Sequence, residues 1–138
     1  MTERDSLDVC TRAVAAFNAN DPAAFEALFT PDIKRHDLQG MIDDWEGREN
    51  VTGFLNLLRT ALPDLHIEIE DAFGHEDRVA MHLTFSGTHE GELLGAAPTG
   101  KRIVFKGVNL YRLEDGKIAE TWQMTDWAGA MRQIGASL

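Results

Sequence analysis

The chain has 138 residues, 43% of them hydrophobic and 26% charged, with 23 acidic side chains against 13 basic ones and a formal charge of −10. That describes one soluble domain with room for a single core and a pocket, and none for a second domain. It also lacks the cationic footprint that nucleic acid or an anionic membrane surface requires, has no apolar run long enough to span a bilayer, and with one cysteine, Cys10, builds neither a disulfide framework nor a cysteine zinc cluster.

The charged start Met1-Thr2-Glu3-Arg4-Asp5 leads into no apolar stretch, so no signal peptide is expected and a cytoplasmic location is the default. Leu7, Cys10, Val14 and Phe17 recur at helical spacing, predicting an amphipathic helix over 6–19. Asp21 and Pro22 open a second helix as cap and first residue. That helix carries Phe25, Leu28 and Phe29 and stops before Thr30-Pro31-Asp32. Residues 33–46 read as irregular and polar. A third helix over 48–62 shows Val51, Phe54, Leu55, Leu58 and Leu62 on one face and is stopped by Pro63.

From there the period changes to two. Leu65, Ile67 and Ile69 alternate with His66, Glu68 and Glu70, a half-buried strand. Gly74-His75-Glu76-Asp77 turns into a second strand over 78–86, and the segment 87–100 bridges to a third over 102–113. Glu114-Asp115-Gly116 predicts a tight hairpin into a fourth strand, 117–125, and a short helix over 127–134 ends the chain. Helices followed by a meander make an α+β domain spanning 1–138. A curved four-strand antiparallel sheet closed by three helices leaves a cone-shaped cavity, expected to be lined by Phe17, Phe54, Trp122 and Met124.

Five segments in order carry a family signature: Ala61-Leu62-Pro63-Asp64-Leu65, Gly87-Thr88-His89-Glu90-Gly91-Glu92-Leu93, Ala97-Pro98-Thr99-Gly100-Lys101, Asp115 to Trp122 with Asp126 beyond it, and Met131-Arg132-Gln133-Ile134-Gly135. Over nearly its whole length the chain resembles the SnoaL-like polyketide cyclases, or ester cyclases, of the nuclear-transport-factor-2-like α+β barrel superfamily. The resemblance implies a cofactor-independent enzyme closing a ring in a hydrophobic polycarbonyl or aromatic substrate by intramolecular aldol chemistry. It implies Asp126 as the acid/base group and His36 as a second group on the same cavity. It further implies a homodimer or larger assembly that buries the outer sheet face with His82 and Thr84. The superfamily also holds isomerases, dehydratases, epoxide hydrolases, accessory oxygenation proteins and plain binding domains, so those readings stay open.

An Asp directly before a helix is most often its N-cap; a carboxylate among Trp122, Met124 and Trp127 is also a usable base if apolar walls raise its pKa. Strand parity puts Trp122, Met124 and Asp126 on one face. His36 lies outside any periodic segment, where a solvated side chain is the commoner fate. Trp45, Trp122, Trp127 and Phe105 suit either a flat aromatic ligand or the core. Asn109 is the polar exception on the strand face of Phe105, Gly107 and Tyr111, meeting a ligand or a buried backbone group. His82 falls opposite an apolar face and is expected outside; His89 reads as a turn residue bonded to backbone, His66 and His75 as exposed. No His spacing suits a metal, and no nucleotide-binding glycine pattern or serine-hydrolase elbow occurs.

Overall fold

The computed structural model describes residues 2–136. Helix α1 (Glu3–Asn18) starts at Thr2, which forms a capping box with Asp5, and it buries Val9, Cys10, Ala13, Val14 and Phe17. Cys10 is fully enclosed, and burial pushes its thiol up to about 12, so it behaves as a small core residue. The Asp21 side chain caps α2 (Pro22–Glu26), accepting the Ala24 N–H.

The second helix ends at Glu26, and residues expected to be helix end and irregular loop form β1 (Phe29–Asp37) and the short β2 (Trp45–Glu46). Pro31 lacks a ladder donor, and the pairing register of β1 shifts between Phe29 and Lys34, the kind of edge irregularity that accommodates a proline. Helix α3 (Glu49–Ala61), strands β3 (His66–His75), β4 (Arg78–Thr88), β5 (Arg102–Glu114) and β6 (Lys117–Thr125), and helix α4 (Trp127–Gln133) follow as expected within a few residues. In the β5–β6 hairpin, Asp115 and Gly116 both have positive φ, the conformation a two-residue turn between right-twisted strands requires.

The domain is α+β, but its sheet has six strands rather than four, in the order β2-β1-β6-β5-β4-β3. β3 to β6 form the antiparallel meander; β1 joins it parallel to β6, and β2 lies antiparallel outside β1. The sheet is curved and unclosed, with register breaks in β3 and near the end of β5. Its concave face meets α1, α3 and α4. Along β5 the burial alternates without exception, with Ile103, Phe105, Gly107, Asn109, Tyr111 and Leu113 turned inward. Among the described residues, no helix is long and apolar enough to cross a membrane.

The signature segments between 61 and 101 prove to be a joint. Asp64 accepts both the Thr88 N–H at 2.6 Å and its hydroxyl at 2.8 Å, and the Gly91 N–H donates to the Ala61 carbonyl. A Cβ on Gly91 would stand 2.1 Å from the Thr60 carbonyl oxygen, so only glycine allows this approach. His89 is fully buried, and its Nδ1 accepts the Thr99 N–H at 3.3 Å, the structural role expected of it. His66, His75 and His82 are exposed.

Candidate active site

The concave face and the helices enclose a cavity of about 940 Å³, its open mouth included. Aromatic side chains make most of its walls. Phe25 packs edge-on between Phe17 and Phe29, with centroids 6.0 and 4.9 Å away. Phe85 stacks on Phe105 at 5.2 Å, Trp127 leans on Phe105 at 5.4 Å, and Trp45 lies 5.8 Å from Phe54. Such walls suit a flat, apolar ligand.

The polar lining comes from three adjacent strands. Inward parity on β1, β6 and β5 presents Arg35, then Thr121, Gln123 and Thr125, then Asn109 and Tyr111. The register sets Arg35 beside Thr121 and Thr121 beside Tyr111 in one row, with Gln123 beside Asn109 in the next. Arg35 is 2% exposed. Its Nε donates to Gln123 Oε1 at 2.7 Å, and its guanidinium lies 4.2 Å over the Phe54 ring. Nη1 is buried with no protein partner. Burial holds the arginine below its ordinary pKa, while Asp37 and Asp44 oppose that shift through space without pairing to it. Asn109 donates to the Tyr111 hydroxyl at 3.1 Å, leaving the Tyr111 proton available to donate onward. Burial raises the Tyr111 pKa, so it stays a phenol at physiological pH. Asn109 Oδ1 and the indole Nε1 atoms of Trp45 and Trp127 are further buried polar atoms of the lining without a partner among the described residues.

Of the residues expected at the site, Phe17, Trp45, Phe54, Phe105 and Asn109 line the cavity, as does Trp127. Trp122 and Met124 do not. They share a face as parity required, but it is the convex one, where Met124 is 46% exposed. The expectation failed because it took the apolar side of β6 for the core side, whereas the cavity side carries Thr121, Gln123 and Thr125.

Asp126 and His36 do not converge. Asp126 is the N-cap of α4, exposed, with Oδ1 accepting the Gly129 N–H at 2.9 Å. The carboxylate sits so close that a Cβ on Gly129 would fall 2.2 Å from Oδ2. His36 lies on the convex side, stacked on Trp122 at 5.5 Å. Its Nε2 meets Glu120 at 2.6 Å and its Nδ1 meets Asp44 at 3.2 Å. Glu120 in turn accepts from Arg112 at 3.2 Å. The hydrogen bond that His36 donates to Glu120 raises the imidazole pKa, outweighing partial burial, and Asp44 adds to it. Among the described lining residues there is no carboxylate and no imidazole.

Arg35, Thr121, Gln123, Thr125 and Tyr111 were not singled out from sequence. Arg35 falls within 33–46, which reads as irregular and polar; only recognising β1 as a strand turns it inward.

The sequence profile described as SnoaL-like polyketide cyclase matches residues 7–134. Aklanonic acid methyl ester cyclase DauD from Streptomyces sp. (strain C5) is 28% identical, the match covering 94% of this chain and 81% of that protein. Aklanonic acid methyl ester cyclase DnrD from Streptomyces peucetius is also 28% identical, with 94% and 90% covered. Among solved structures, AclR from Streptomyces galilaeus, a candidate hydroxylase, superposes with TM-score 0.85 at 28% identity over 97% of this chain and 83% of that one. IdmH from Streptomyces antibioticus, a candidate polyketide cyclase, superposes with TM-score 0.83 at 27% identity, covering 95% and 99%.

Proposed function

The chain belongs to the SnoaL-like polyketide cyclase family, and on that premise we propose that it is a cyclase-type enzyme closing a ring in a small, hydrophobic, carbonyl-rich molecule held in the concave cavity. The observation that carries this reading is the division of the cavity into aromatic walls and one polar band centred on Arg35. The walls fold a conjugated chain into a reactive shape, and the band offers donors to its oxygens.

An aldol closure needs three things: an enolate, an electrophilic carbonyl brought against it, and charge stabilisation on both oxygens. The enolate α-carbon gives its electron pair to the second carbonyl carbon. The π pair of that carbonyl moves onto oxygen, and the alkoxide takes up a proton equal to the one the carbon lost. Arg35, the free carboxamide hydrogens of Gln123 and the Tyr111 hydroxyl are the donors available to these oxygens. No cofactor is called for, because the acidity resides in the substrate's own conjugation. In this reading Asp126 caps α4 and His36 belongs to the convex ion cluster; neither handles substrate protons. A homodimer formed through the convex sheet face and a cytoplasmic setting complete the proposal.

The test is to incubate the protein with an aromatic polycarbonyl chain and follow the products by liquid chromatography and mass spectrometry. An isomer of unchanged mass, formed with one configuration and absent with Arg35→Met, supports ring closure. A ligand that binds and is returned unchanged points instead to a small-molecule-binding domain, a reading favoured by the lack of any carboxylate or imidazole among the described lining residues.

A further inference from the structure

The geometry points to a cavity that binds its substrate as a preformed enolate of a 1,3-dicarbonyl unit, with Arg35 as the counter-ion and Gln123 as the residue that aims it. This rests on the reading of the cavity as the substrate site and names the state in which the substrate is held there.

Arg35 is a cation enclosed to 2% exposure whose only hydrogen-bond acceptor among the described residues is the neutral Gln123 carboxamide. A buried guanidinium is ordinarily paired with a carboxylate, since burial without a counter-ion is costly. No carboxylate lies within ion-pair distance of Arg35 among the described residues, and Nη1 has no protein partner. The guanidinium lines the cavity with donor capacity that its protein partners leave unused, which suits an anion that arrives with the ligand. Gln123 spends Oε1 on Arg35 Nε and so keeps its NH₂ to donate to a ligand. Two neighbouring donor groups of this kind match the two oxygens of a 1,3-dicarbonyl enolate, which share one delocalised charge in one plane. Phe54 covers the far face of the guanidinium and fixes its plane.

The same arrangement accounts for the missing base. A 1,3-dicarbonyl loses its proton without a strong base when the enolate is stabilised, and the proton passes to water before or during binding. A lining carboxylate would repel that anion and neutralise Arg35. A glutamine at 123 does neither.

The test uses the purified full-length protein and two probes. Benzoylacetone, an aromatic 1,3-diketone, reports its enolate by ultraviolet absorbance; 2-naphthoate and its methyl ester report carboxylate recognition by calorimetry. Bound benzoylacetone is expected to show an enolate fraction at neutral pH about tenfold or more above that of the free compound, equivalent to a one-unit fall in its pKa. Arg35→Met should abolish that band. Gln123→Glu should abolish it too while retaining the wild-type melting temperature or better, because it gives Arg35 an internal counter-ion; this variant keeps the proposal falsifiable if Arg35→Met folds poorly. The proposal is overturned if benzoylacetone fails to bind, if it binds as the neutral compound, or if Gln123→Glu retains the band. It is likewise overturned if 2-naphthoate binds far above its ester while the diketone stays neutral, which marks a carboxylate site. An enolate band without any ring-closed product would sink the cyclase reading and leave this one standing.

Discussion

Arg35 and His36 are consecutive in β1, yet their side chains leave the sheet on opposite faces, the guanidinium toward Gln123 in the cavity and the imidazole onto Trp122 outside. The two neighbours thus hydrogen-bond to different partners across one strand, although Asp44, bonded to His36, also acts through space on Arg35. Substitutions at 36 should move stability and its pH dependence, and those at 35 should move ligand chemistry.

The convex cluster predicts a sign for that pH dependence. The His36 pKa is raised first by Glu120, so its contribution is complete below the ordinary imidazole value of 6.5 and is lost as pH climbs through the raised value. Glu120 is lowered mainly by His36, and Asp44 mainly by the Asp37 N–H, so their contributions are lost as pH falls through the depressed values. The melting-temperature gap between wild type and His36→Gln should be widest between pH 4.5 and 6.5 and should close well above 6.5. Thermal melts across that range decide it; a gap that widens with rising pH contradicts the cluster.

At Asp126 the expected effect is on stability. Asp126→Ala removes the acceptor of the Gly129 N–H and should lower stability by about 1 kcal/mol, the usual value of an N-cap. Ligand affinity and product formation should stay at wild-type levels. A hundredfold fall in turnover with an unchanged melt would return the residue to the chemistry.

Arg59 predicts a larger loss. Its Nη1 donates to the Leu65 carbonyl at 2.7 Å, its Nη2 donates to the Phe17 carbonyl, and the guanidinium covers the Phe17 ring at 4.5 Å. One side chain therefore ties α1, α3 and the approach to β3 together behind a cavity wall. Arg59→Met keeps the apolar stem but strands two carbonyls and should lower stability by about 2 kcal/mol. Denaturant melts measure the loss, and weakened aromatic-ligand binding should accompany it as Phe17 loosens.

Assembly can be read from the convex face. Val108 stands between His82 and Met124 in the register, and Leu110 between Ala80 and Trp122, with Val108, Leu110 and Met124 all exposed. An apolar patch across three strands predicts a dimer through this face. Sedimentation should give twice the chain mass at micromolar concentration, and Val108→Lys should return the monomer. A wild-type monomer at every concentration removes the prediction.

Much of the fold was legible because periodicity was clean where side chains met only core and solvent. β5 alternates along its full length, and α1 and α3 keep apolar stripes. β1 was not legible. Its inward residues include Arg35 and Asp37, and Pro31 interrupts it, so it lacks the alternation by which a strand is recognised. β6 misled for the converse reason: in its second half Thr121, Gln123 and Thr125 face the cavity while Trp122 and Met124 face outward. A binding site inverts the inside-outside rule, so the strands that build it are where pattern reading fails. His89 and Asp64 were visible as motif residues, but their bonds show them holding a joint and not a ligand.

Arg35 and Gln123 are 88 residues apart in the chain. Their strands pair in parallel, so no tight turn can bring them together. Closing a loop of that length costs on the order of 4 kcal/mol in chain entropy. The meander from β3 to β6 can zip through successive hairpins, whereas β1 must dock against a β6 that already exists. The polar band around Arg35 is therefore expected to form late in folding, after the walls contributed by β4, β5 and the helices. Refolding followed by ligand spectroscopy should show recovery of the enolate band lagging behind recovery of tryptophan fluorescence.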